Sequence, residues 1–188
     1  MNEIATILSD LDAMGVHYRQ HREEFAAAWA LVKAHVPHTL LEIGSLGGGS
    51  LYGYGLACAP GSRIVSVDLA RSEDFAAMLR RSVGALTERG YRVETITESS
   101  LDTRTAVRVC DSLVSVDVLH LDGDHRYDSV RADFLTYGRL VSSGLVILHD
   151  VDPERGAPGV AQLWREIRGS GRAHEFCLGG DGIGVLEV

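Results

Sequence analysis

The sequence predicts an α/β fold: a Rossmann-like, doubly wound, mostly parallel seven-stranded sheet with helices on both faces and a C-terminal antiparallel strand pair. Three observations carry this. Short runs rich in Val, Leu and Ile, such as Val116 to Leu121 and Leu145 to Leu148, read as strands buried on both faces. These runs alternate with segments of helical periodicity, the pattern of right-handed βαβ units. Several runs end abruptly in glycine, carboxylate or imidazole, which gathers polar chemistry at one edge of the sheet.

The elements follow in order. Glu3 to Met14 and Arg22 to His35 are expected helices, the second with Phe25, Trp29 and Val32 at helical spacing. Thr39 to Ile43 is a strand, followed by a Gly-rich turn and a helix from about Ser50 to Cys58. Arg63 to Val67 is a strand, and Ser72 caps a helix running to about Glu88. Arg92 to Thr97 is a strand with a helix near Asp102 to Asp111 behind it. Val116 to Leu121 precedes a helix from about Tyr127 to Leu140. Leu145 to Leu148 precedes one near Val160 to Arg168, whose Val160, Leu163, Trp164 and Ile167 form an apolar stripe. Ala173 to Leu178 and Ile183 to Glu187 pair around Gly179 to Gly182. Residues 1–37 form an N-terminal helical unit, suited to cap, substrate or oligomer contacts, and residues 38–188 form the α/β domain.

Bulk properties narrow the function. At 188 residues the chain can build one sizeable core. Its net charge of −8 comes with scattered basic residues and no basic stripe, so neither nucleic acid nor an anionic membrane is an expected partner. Met1 to Asp10 lack a basic and apolar leader pattern, and no apolar run reaches about 18 residues; the expected location is cytoplasmic. Cys58, Cys110 and Cys177 are odd in number and far apart, and are expected to be free, buried thiols.

Two polar constellations remain. The first is Glu42-Ile43-Gly44-Ser45-Leu46-Gly47-Gly48-Gly49-Ser50, between the first strand and its helix. Glycines there let the backbone pass close to a ligand. The next strand ends in Asp68, where a carboxylate can accept two hydrogen bonds from ribose hydroxyls. A nucleoside site is therefore expected. The turn lacks the G-x-G-x-x-G spacing of dinucleotide binders. Glu42, just before its first glycine, suits an ammonium better than a pyrophosphate, as in S-adenosylmethionine (SAM), which also carries a sulfonium.

The second constellation is Asp122, Asp124 and His125 after one strand, with His149 and Asp150 after the next. Neighbouring parallel strands lie about 4.8 Å apart, so their ends can reach one ion. Grouped carboxylates repel one another unless a cation joins them. Oxygen-rich ligation favours Mg²⁺, with Mn²⁺ or Ca²⁺ as alternatives. His120 alternates into an apolar strand and reads as a hydrogen-bonded core residue. His17, His21, His35 and His38 read as solvated. Tyr52 and Tyr54 either line the cleft or pack the helix.

On these residues the chain resembles a class I SAM-dependent methyltransferase, from about Thr39 to the C-terminus. It is similar to the metal-dependent O-methyltransferases acting on sugars of macrolides and related natural products, and to the cephalosporin-hydroxylase-like group. The resemblance implies that Glu42, Gly44, Ser45, Gly47 and Ser50 belong to the cofactor turn, that Asp68 binds ribose, and that Ser99 to Asp102 lies near adenine, with an N-cap at Ser100 or Asp102 as the other account of that segment. It implies metal ligation by Asp122, also placed beside the cofactor, and by His149 and Asp150. The family more often has a carboxylate where this chain has His149, so His149 is either a direct ligand or a residue behind the ligands or facing the substrate. His125 takes the position of the catalytic base, and Asp124 orients it, contacts the metal through water or caps the next helix.

The expected function is metal-dependent transfer of the SAM methyl to a hydroxyl of a small molecule, a sugar or glycosylated natural product. Three readings compete: an NAD-dependent oxidoreductase, a metal-dependent hydrolase or hydroxylase, and a non-catalytic protein on a methyltransferase scaffold. The short N-terminal helices leave room for a homo-oligomer that completes the acceptor cleft.

Overall fold

In the computed structural model, which describes residues 3–188, seven strands form one sheet. They are β1 (Thr39–Ile43), β2 (Arg63–Val67), β3 (Arg92–Ile96), β4 (Val118–Leu121), β5 (Leu145–His149), β6 (Arg172–Phe176) and β7 (Ile183–Glu187). Their spatial order is β3-β2-β1-β4-β5-β7-β6. Strands β1 to β5 are parallel, and β7 runs antiparallel between β5 and β6. The winding direction reverses between β1 and β4, and the crevice at the carboxyl ends of those strands is where such sheets bind ligands. Met1 and Asn2, the start of the expected N-terminal unit, lie outside the described residues.

Strand alternation divides the core into two layers. Leu40, Ile64, Val118 and Ile147 face one way, with α1 (Glu3–Met14), α2 (Arg22–His35), α3 (Gly49–Ala57) and α4 (Glu73–Glu88). Leu41, Val65, Leu119 and Val146 face the other way, with α5 (Thr103–Ser112), α6 (Tyr127–Tyr137) and α7 (Pro158–Ile167). The N-terminal helices share an apolar cluster with the strands: Leu11, Phe25 and Val32 are fully buried in it. No helix among the described residues is long and apolar enough to cross a membrane.

Local chemistry sets the element ends. Ser72 accepts from Phe75 N and Asp102 from Arg104 N, so both cap their helices. Strand β4 starts two residues later than expected because the Asp117 carboxylate binds the backbone N–H groups of His38 and Thr39. Helix α6 stops at Tyr137 and tightens into a 3₁₀ turn, Gly138–Leu140. Strand β6 ends at Phe176, short of the expected Leu178, whose N–H is diverted to Glu24. The cysteines are free but not uniformly buried: Cys58 is buried, Cys110 half-buried and Cys177 exposed, because Cys177 falls past the end of that edge strand.

Candidate active site

A cavity of about 820 Å³ opens at the carboxyl edge of the sheet. That volume is within the ordinary range for small-molecule and cofactor sites. The loops after β1, β2, β3, β4 and β5 all reach it: Gly44, Ser45, Gly47 and Ser50, then Asp68, Ser99, Asp122 with His125, and His149 with Asp150. Two distant stretches complete the lining, His17 to Gln20 from the α1–α2 connection and Asp181 from the β6–β7 turn.

The turn after β1 is tight because two strand ends touch there. Gly44 has φ 87°, and a Cβ at this position would sit 2.1 Å from the carbonyl oxygen of Asp122. Only glycine fits. Leu46 is held at φ 48°, and its N–H donates to Asp68 Oδ2 at 2.8 Å. Asp68 Oδ1 accepts from Ala70 N at 2.7 Å. An ionised carboxylate has about four lone-pair positions, so Asp68 retains acceptors for a ligand diol after fixing both turns.

Glu42 does not line this cavity. It is fully buried beneath it, with Oε1 2.7 Å from His120 Nδ1. The strand register explains the departure: Glu42 and His120 are direct partners across β1 and β4 and point to the same face. The acid that was set against a ligand ammonium thus gives Oε1 to the core histidine, while its Oε2 is buried without a partner.

Strands β4 and β5 deliver the second constellation. Asp122, His149 and Asp150 each offer a ligand atom, and the three atoms lie within 4.8 Å of one another. His149 Nδ1 is 2.9 Å from Asp150 Oδ2 and 3.5 Å from Asp122 Oδ1. His125 stands across the same two oxygens, its Nε2 3.3 Å from Asp122 Oδ1 and its Nδ1 3.4 Å from Asp150 Oδ2. Burial drives the His149 imidazole toward its neutral form, but hydrogen bonds to Asp122 and Asp150 outweigh it and push the pKa up to about 10. The hydrogen bond to Asp122 likewise raises His125, against its partial burial. Burial opposes ionisation of Asp122, yet the two imidazoles hold its carboxyl well below the usual range.

Asp150 adopts φ 68°, a left-handed conformation costly for a residue with a side chain. Its carbonyl accepts from Ala157 N, while Val151 and Asp152 bond back to Gly182 and Asp181. A strained residue braced on both sides at a polar crevice is a common feature of functional sites.

Asp124 turns away from the pair. Its carboxylate binds the Arg126 guanidinium, Arg126 N and Ser129 Oγ, which starts α6. Tyr52 and Tyr54 are fully buried and pack the core. His17, His35 and His38 are exposed, while His21 is half-buried beside the Gly180 turn. Sequence reasoning missed Tyr18 to Gln20 and Asp181 as lining residues, since neither segment has periodicity or a motif to announce it.

The comparisons with known proteins bear on the family and the fold. Residues 41–151 match the model of the methyltransferase domain family. The chain belongs to that family. A curated relative, uncharacterized protein y4gI of Sinorhizobium fredii, is 27% identical over 180 residues, covering 88% of this chain and 20% of the relative. The chain thus spans about a fifth of that relative's length. Among solved structures, the O-methyltransferase from Bacillus cereus in complex with SAH superposes with TM-score 0.68 at 18% identity, over 98% of this chain and 90% of that one. The O-methyltransferase TomG from Streptomyces achromogenes, involved in tomaymycin synthesis and solved with SAM, gives TM-score 0.66 at 17% identity, over 99% and 87%. These likenesses show that the fold is shared.

Proposed function

We propose that this methyltransferase-family chain transfers the methyl group of SAM to a hydroxyl of a small molecule, a sugar or glycosylated natural product, with the help of a divalent cation, Mg²⁺. SAM supplies a sulfonium-activated methyl. Its adenosyl part fits the wall from Gly44 to Ser50, with Asp68 toward the ribose and Ser99 toward the base. The observation that carries the reading is His125, half-exposed at the cavity and facing both Asp122 and Asp150.

The donor set fits a hard cation. Two carboxylates and one imidazole nitrogen converge, and the His149 nitrogen aimed at the acids is Nδ1. Asp122, His149 and Asp150 would hold the ion, which would act as a Lewis acid toward an acceptor hydroxyl. A vicinal diol suits such a site because it chelates. His149 binds an ion only after losing its proton, so binding releases protons and strengthens as pH rises.

The remaining work falls to the chain's own groups. In its neutral form, with Asp122 and Asp150 engaged in holding the ion, His125 would accept the hydroxyl proton at its free ring nitrogen as the oxygen turns nucleophilic. Asp122 and Asp150 stabilise the imidazolium that results. The Gly44 turn and Asp68 fix the adenosyl group, and alignment of acceptor oxygen with methyl carbon then supplies much of the rate. The lining segments Tyr18 to Gln20 and Asp181 border the acceptor side.

The test is transfer of labelled methyl from SAM to a panel of sugar-bearing and catechol acceptors, with and without chelator. Label in an ether product, lost in chelator and restored by Mg²⁺, supports the reading. Transfer untouched by chelator refutes the cation, and absence of SAM binding by calorimetry refutes the methyltransferase reading altogether.

A further inference from the structure

The Gly15 to His21 connection runs across the carboxyl edge of the sheet and lies outside the residues that match the family model. Within it, Gln20 is only 7% exposed. Its Nε2 is 3.5 Å from Asp122 Oδ2 and 3.5 Å from His120 Nε2. We propose that Gln20 is a positioning residue for Asp122: its amide NH₂ fixes which carboxylate oxygen Asp122 presents to the cation site. The inference rests on the cation site proposed above.

The hydrogen-bond direction follows from the far end of the network. Glu42 Oε1 lies 2.7 Å from His120 Nδ1, which places the imidazole proton on Nδ1. In that Nδ1–H tautomer His120 Nε2 is an acceptor. Asp122 Oδ2 is an acceptor too. Both face one Gln20 nitrogen, and an amide nitrogen has two hydrogens to give. Gln20 must present its nitrogen, although this leaves its own Oε1 buried without a partner. That orphaned oxygen is consistent with the amide being set by what its nitrogen does.

The consequence appears at Asp122. Its Oδ2 is claimed by Gln20, while Oδ1 faces both His125 and His149 at 3.3 and 3.5 Å. The two oxygens thus have separate duties. His120 in turn is pinned by Glu42 and by the edge-on ring of Tyr54, with centroids 5.1 Å apart. A buried chain runs Glu42, His120, Gln20, Asp122, tying the base of β1 and β4 to the candidate ligand. It also gives Glu42 a role, beneath the site instead of on its wall.

Partners that orient a ligating side chain typically change metal affinity by about 10- to 100-fold when removed. The test uses the full chain with Gln20→Met, which keeps length and removes both donors, and Gln20→Asn, which keeps the amide but shortens its reach. Mn²⁺ and SAM are titrated separately by calorimetry, and thermal unfolding is followed alongside. Both variants should bind Mn²⁺ about tenfold or more weakly, with SAM affinity within threefold of wild type and a single cooperative unfolding transition retained. Wild-type Mn²⁺ affinity in either folded variant overturns the inference. Weakened SAM binding with unchanged Mn²⁺ binding also overturns it, since Gln20 would then serve the cofactor. If wild-type protein itself fails to bind Mn²⁺, the cation site falls and this inference falls with it.

Discussion

Replacing Gly44 with alanine should damage the fold and the cofactor site together, and the structure gives the scale. The new Cβ would lie 2.1 Å from Asp122 O, 2.5 Å from Asp122 C and 2.6 Å from Gly123 Cα, all backbone atoms. The ends of β1 and β4 must part by about 1 Å to restore ordinary contact. Two bonds of 2.8 Å flank Gly44, Asp122 N to Ile43 O between β4 and β1 and Gly44 N to Val67 O between β1 and β2. Weakening both costs about 2 kcal/mol at a net 1 kcal/mol each. Holding alanine at φ 87° adds about 1–2 kcal/mol. The total of about 3–4 kcal/mol should lower the melting temperature by roughly 6–16 °C in a chain of this size. SAM affinity should fall with it, because the turn that lines the cofactor wall is displaced. Gly90→Ala is the control, because Gly90 has φ 89° but open space around it; it should lose only the conformational part and bind SAM normally. Differential scanning calorimetry and SAM titration read both effects. A Gly44→Ala protein that melts within 2 °C of wild type and binds SAM equally well would refute the close-approach argument.

Three further outcomes are expected. The His149 pKa of about 10 in the fold exceeds the unfolded value of 6.5, so its stabilisation is complete below pH 6.5 and is lost as pH rises through 10; at 1.36 kcal/mol per pH unit this is at most roughly 5 kcal/mol. Urea unfolding in chelator should therefore weaken from pH 7 to 10 in wild type, and His149→Asn should flatten that slope. His125→Ala should reduce kcat by about 100-fold or more, as for a lost general base, with SAM affinity unchanged; a kcat within tenfold of wild type would remove it from the chemistry. Glu24, fully buried on α2, accepts the N–H groups of Leu178, Gly180 and Gly182. Glu24→Ala leaves three donors unpaired and should cost about 3 kcal/mol or more in urea unfolding.

The fold was legible because the central strands of the sheet are buried on both faces. Runs such as Leu145 to Leu148 admit few other readings, and their alternation with helical stripes fixes the winding. The candidate site was legible where its residues sit at strand ends: Gly44, Asp68, Asp122, His149 and Asp150 all reach one cavity. Two kinds of information were out of reach. The orientation of Glu42 depends on its register partner across β4, and only pairing with His120 turns it from ligand contact to buried support. The contributions of Gln20 and Asp181 depend on where irregular segments cross in space, and the Asp181 turn is held by Glu24 from a helix distant in sequence. Cys177 misled for a related reason, since strand β6 ends one residue earlier, where a neighbouring N–H is drawn to Glu24.

Anomalous diffraction from crystals soaked in Mn²⁺ tests the central claim most directly. The account predicts one strong peak per chain between β4 and β5, about 2.0–2.3 Å from a carboxylate oxygen of Asp122, a carboxylate oxygen of Asp150 and Nδ1 of His149. No peak among these residues, with manganese bound elsewhere or nowhere, would contradict it.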